Sequence, residues 1–208
     1  MNPFLDNSPH CMIDLETLGT KPGCVVFSLG ACVFNAHGVH DAFYRIISVK
    51  PQLAVDLRVN PDTLGWWMTQ DEGARRELTA ALVGGGQPGE VLDEFNLWFR
   101  TRQIGPVWGN GAGFDQPILT TMYQRFGREV PWKFSNERCF RTLKNLFPEV
   151  QAPASTGTHH NALDDAVWQA NYAVRINSHV SSRRDLQSDF LPALEAVGVE
   201  PSDGGNND

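Results

Sequence analysis

The order of the extended and helical runs constrains this chain more than any other feature. Three strand-like runs come first, at residues 11–14, 25–34 and 42–49, with a turn at residues 19–23 between the first two. Runs so close together predict an antiparallel meander. Helical segments follow at residues 61–82, 92–100, 114–126, 137–146 and 162–176, interrupted by a short buried strand at 106–109. On the last of them Leu163, Val167, Ala170 and Val174 recur at helical spacing. Strands first, then a strand among helices, predict an α/β fold whose mixed sheet is flanked by helices. The chain of 208 residues suits one domain with a sizeable core. Residues 84–89 and 151–159 read as loops, and 202–208 as a disordered tail.

Four carboxylates and a histidine stand out against this frame. Asp14 and Glu16 are two apart, which in a strand places both on one face. Such a pair repels unless a cation or water solvates it, and the plainer reading is a solvated strand end. Asp115 follows the glycine-rich stretch 109–113 and precedes Pro117, where it could cap a helix or face a site. His160 stands at the mouth of the last helix and Asp165 in its second turn. Acids there would also complement the helix dipole. Periodicity alone does not choose between Asp164 and Asp165, nor between His159 and His160. Acidic oxygens converging from distant segments are what two hard divalent cations need at a phosphodiester. A histidine beside them could take a proton from water.

Composition narrows the classes. A net charge of −7 argues against a broadly basic nucleic-acid coat, though not against an enzyme gripping a few nucleotides. The first ten residues carry no basic or apolar leader pattern, and no run approaches membrane-spanning length. Cys11, Cys24, Cys32 and Cys139 are scattered and read as reduced packing thiols. A cytoplasmic protein, of a bacterium or a phage-infected cell, is expected.

Together the motifs resemble the DEDDh branch of the DnaQ-like 3′–5′ exonucleases. The resemblance rests on Asp14-Leu15-Glu16-Thr17, a mid-chain Asp opening a helix, and His160-x-Ala162-x-x-Asp165. Residues 14–19, 26–31, Trp66-Trp67, 108–115, Arg141-Thr142 and 160–170 look most like the exoribonuclease T-like group related to exonuclease VIII and phage exonucleases. Ser28 departs from proofreading relatives, which often carry Glu there, and this argues against a polymerase-subunit role. The resemblance implies an RNase H-like fold over residues 11–180, with an N-terminal extension (1–10) and a C-terminal one (181–208). It selects His160 as general base. It selects Asp14, Glu16, Asp115 and Asp165 as ligands for two Mg²⁺ or Mn²⁺ ions. Thr17 and Leu18 should border the terminal nucleotide, Leu18 against its base or sugar. At most one of Trp66 and Trp67 can face substrate squarely, with Trp67 preferred, and at least one is expected to pack in the core. The implied substrate is a single-stranded DNA or RNA 3′ end, with DNA slightly favoured, in a protein that works off the membrane; several relatives work as dimers, and a homodimer is one state the resemblance allows. Other readings are a nuclease for very short oligonucleotides or adenylate ends, and a silent binding domain of the same fold. Arg125, Arg128 and Arg183-Arg184 are expected to be solvated charges.

Overall fold

The computed structural model describes residues 4–154, 157 and 160–196, with side chains as far as residue 183. His159 and the tail 202–208 lie outside the described residues. The expected meander is present as β1 (His10–Thr17), β2 (Val26–Asn35) and β3 (Gly38–Ile46), paired antiparallel. β4 (Val107–Gly109) joins β1 in parallel, and β5 (Glu137–Cys139) joins β4. The sheet order is β3-β2-β1-β4-β5, a mixed sheet of five strands. The helices are α1 (Lys50–Leu53), α2 (Pro61–Met68), α3 (Glu72–Val83), α4 (Pro88–Thr101), α5 (Asp115–Arg125), α6 (Phe140–Leu146) and α7 (Ala162–Ala196).

Several boundaries differ from expectation for local reasons. β1 runs past Asp14, because Leu15 and Glu16 still pair with Leu29 and Ser28. The helical stretch 61–82 divides in two where Asp71 caps a new start, its carboxylate accepting from the Ala74 amide at 3.0 Å. Residues 137–146 begin as a strand rather than a helix. Three residues pair with β4 before α6 starts, and nothing in so short a run announces a strand. β1 begins at His10, and Leu5 before it is fully buried with its amide bonded to Asn177 on α7. α7 continues through the boundary expected at residue 180.

The sheet divides two cores. Cys11, Ile13 and Leu15 of β1 face the side covered by α2–α5. Met12 faces the other side, with Cys32, Phe34, Trp108, Phe140 and the inner face of α7. The alternation of a strand places Asp14 and Glu16 on this second side. The apolar face of α7 is not the expected stripe. Ala162, Ala166, Ala170, Ala173 and Ile176 are buried, while Leu163, Val167 and Val174 are only partly so. Small residues are needed because the helix start lies directly on β2. A methyl added at Gly30 would sit 2.1 Å from the Ala162 carbonyl carbon and 2.2 Å from the Leu163 nitrogen.

That contact gives a prediction. Gly30→Ala collides with backbone, which cannot swing aside as a side chain can. Overpacking of this kind costs about 1–3 kcal/mol, and here it also displaces the turn that carries Asp165. The variant should melt lower and lose most turnover. A thermal scan and a rate showing wild-type values would contradict this packing.

Candidate active site

Five segments meet where α7 begins over β1. Asp14 lies opposite Gly30 on β2, and Glu16 opposite Ser28. Gly30 has no side chain and Ser28 a small one, so space remains above the two acids for α7. Asp165 stands in the first turn of α7, one turn earlier than expected. Asp115 is the first residue of α5 and 1% exposed. It does not cap that helix. Its Oδ2 instead accepts from the backbone of Asn110 at 2.7 Å, folding the glycine-rich loop back on itself. At Gly109 an added methyl would lie 2.9 Å from that same carboxylate.

Asp14, Glu16, Asp115, Asp165 and His160 all line one cavity of about 500 Å³. One ligand-capable atom each from Glu16, His160 and Asp165 lie within 4.8 Å of one another. Asp164 does not line the cavity and packs beside Gly157. The geometry therefore places Asp165 and His160 at the site. His160 has φ of 61°, in the left-handed region. Its ring meets Trp66 and Trp67 edge-on, at centroid distances of 5.1 and 5.7 Å.

The substrate-facing expectations divide. Thr17 lines the cavity, its hydroxyl donating to the Gly19 carbonyl at 2.6 Å. Trp67 also lines it but is 2% exposed, with its indole N–H donating to the Thr17 carbonyl at 2.8 Å. Trp66 is the open ring, 45% exposed. The structure does not bring Leu18 to the cavity. Its side chain is 1% exposed in the apolar core, because its amide and carbonyl are tied to Val25 and Asn60. Arg125 and Arg128 are paired with Asp56 and Asp93 at the surface, and Arg183 with Glu149.

Sequence reasoning missed Gln169 and Glu77, and named Arg141 only within the resemblance, with no role. Gln169 is buried one helical step after Asp165, and its amide donates to Asp14 Oδ1 at 2.7 Å. Its spacing of four from Asp165 was the available signal. Arg141 lines the cavity beside Asp115, whose carboxyl its charge lowers. Glu77 on α3 does not line the cavity, but its charge raises Glu16. Neither Arg141 nor Glu77 could be placed without the fold.

The electrostatics are those of acids held without enough counter-charge. Burial, and then the charges of Asp115, Glu16 and Asp165, push Asp14 well above the carboxylate range. Glu16 is pushed up to about 9, chiefly by burial and by Asp165. Asp115 is pushed up to about 7 by burial, against its backbone hydrogen bonds and Arg141. Glu16 Oε1 and Asp115 Oδ1 are buried with no hydrogen-bond partner. Orphaned carboxylate oxygens in a cluster of mutually repelling acids fit hard divalent cations.

Stability should follow these shifts. The folded protein holds protons on Glu16 and Asp115 that the unfolded chain releases at about pH 4. Stability of the metal-free protein is therefore lost as pH rises from about 4 toward 9. In EDTA the melting temperature should fall between pH 5 and pH 9, and saturating Mn²⁺ should flatten that slope. A melting temperature that climbs across the window in EDTA would contradict the assigned burial.

Comparison with known proteins gives the family and the fold. The family model described as the 3′-5′ exoribonuclease Rv2179c-like domain matches residues 9–177. The chain belongs to that family. It is a 3′–5′ exonuclease domain, and its fold is the RNase H-like fold of DnaQ-like exonucleases. Among solved structures it is similar to exonuclease X in complex with 5′ overhanging duplex DNA. There the identity is 15% and the TM-score 0.54, over 81% of this chain and 91% of that one. It is also similar to cell-death related nuclease 4, at 11% identity and a TM-score of 0.51, over 85% of this chain and 65% of that one. No curated protein matches the sequence.

Proposed function

We propose that this family member hydrolyses single-stranded nucleic acid from a free 3′-hydroxyl and releases nucleoside 5′-monophosphates with divalent cations bound. The supporting observation is the convergence of four carboxylates and His160 on one cavity, with two buried carboxylate oxygens lacking partners. Asp14, Glu16, Asp115 and Asp165 would hold two Mg²⁺ or Mn²⁺ ions. When bound, such ions supply positive charge for the attacking water and the leaving 3′-oxygen. Without them the acids would repel the phosphate.

The chain's own groups do the rest. His160 takes the proton of the attacking water. Trp67 fixes the Thr17 carbonyl, so that the turn after β1 borders the terminal nucleotide as a rigid edge. Trp66 offers the exposed ring for stacking a base. Arg141 brings positive charge beside Asp115 for a phosphate oxygen. The family's description as an exoribonuclease favours RNA over the DNA expected from sequence.

The test uses single-stranded RNA and DNA of one sequence, each ending in a 3′-hydroxyl or a 3′-phosphate. RNA with a free 3′-hydroxyl should be shortened stepwise, and the 3′-phosphate should stall it by adding charge and bulk at the terminal sugar. DNA degraded faster than RNA would overturn the sugar assignment. Rapid release of a 5′-terminal mononucleotide from 3′-blocked strands would overturn the direction.

A further inference from the structure

We propose that Glu77, on α3, is a positioning residue that sets His160 through Asn161. The assignment rests on the reading of His160 as the base. His160 has a left-handed backbone, which a residue other than glycine keeps only where its neighbours fix it. Asn161, the next residue, is fixed from two sides. Its Oδ1 accepts from the amides of Leu163 and Asp164 at 3.1 and 3.0 Å, and its carbonyl accepts from Asp165 at 3.0 Å. Its Nδ2 donates to Glu77 Oε1. One amide thus caps α7 with its oxygen and ties that cap to α3 with its nitrogen.

α3 is a firm anchor. Ala74, Leu78 and Ala81 bury its inner face in the core, and the helix packs on β2 and β3. The Glu77 carboxyl also faces the Tyr44 and Ser28 hydroxyls of the sheet, which lower it against the cost of burial. Two oxygens with different neighbours let one carboxyl hold the sheet and the start of α7 in a fixed relation. Its Oε1 accepts from the residue that follows His160.

The experiment measures kcat and KM on a single-stranded oligonucleotide. Glu77→Ala should lower kcat by about 10–100-fold, as a misplaced catalytic group does, with KM little changed and with a calorimetric Mn²⁺ affinity matching that of Glu77→Gln, which removes the same charge beside Glu16. Glu77→Gln keeps the acceptor oxygen and should recover most of the rate. In a His160→Ala background Glu77→Ala should cost almost nothing more, because the histidine it positions is gone. Asn161→Asp keeps the cap but turns its bond to Glu77 into repulsion, so it should be slow. Combining Asn161→Asp with Glu77→Gln restores a donor and an acceptor and should recover rate, which keeps the test open if Glu77→Ala does not fold. The assignment is overturned if Glu77→Ala turns over at the wild-type rate, if its loss lies in KM, if Glu77→Gln is as slow as Glu77→Ala, or if the paired variant stays as slow as Asn161→Asp. A His160→Ala enzyme at full rate would instead remove the reading of the base, and this assignment with it.

Discussion

Asp14→Ala or Asp165→Ala should abolish hydrolysis and leave the fold intact. Each removes a cavity-lining acid from a cluster that lacks counter-charge. Asp14 is raised by burial and by three neighbouring acids, so the metal-free protein is destabilised by carrying it ionised. Thermal stability in EDTA near pH 8 should be equal or higher in the variants. Asp14→Asn is the cleaner form, since its amide oxygen still accepts from Gln169. Each kcal/mol of relieved repulsion raises the melting temperature by about 2–4 °C in a domain of this size. Wild-type rates from a clean preparation of either alanine variant would sink the four-acid assignment.

His160→Ala should cut turnover by about 10²–10⁴-fold, the usual contribution of a general base. The alternative is a ligand role, because His160 lies within ligand-sharing distance of Glu16 and Asp165. Mg²⁺ prefers oxygen, and an imidazole beside four carboxylates is its poorest donor. Mn²⁺ affinity by calorimetry should therefore change little. The residual rate should climb as pH rises, since hydroxide replaces the missing base. His159→Ala should be mild. A large loss of metal affinity in His160→Ala, or a severe defect confined to His159→Ala, would assign the wrong role or the wrong histidine.

The parts of this site legible in sequence are those set by period and motif. The spacing of Asp14 and Glu16 places both on one strand face, and that face is the one α7 covers. The spacing from His160 to Asp165 is short enough to survive as one local unit. What the sequence hid is set by approach between distant segments. The inner face of α7 is alanine because Gly30 admits backbone to backbone, and a hydropathy stripe favours the bulkier Leu163 and Val167 instead. Leu18 resembles a substrate contact by its place after the acids, yet its backbone pairing with Val25 and Asn60 turns it inward. Of two adjacent tryptophans, Trp67 is the buried one because its indole N–H finds the Thr17 carbonyl. Glu77 and Asn161 are 84 residues apart, and no local pattern could join them.

The most direct test is a denaturing gel of 5′-labelled and 3′-labelled single-stranded RNA and DNA, run with Mg²⁺, Mn²⁺ or EDTA. The 5′-labelled strand should give a ladder shrinking one nucleotide at a time, and the 3′ label should leave at once as a nucleoside 5′-monophosphate. Both should occur with either cation and stop in EDTA. Degradation that continues at the same rate in EDTA, or internal cuts in place of a ladder, would contradict the account.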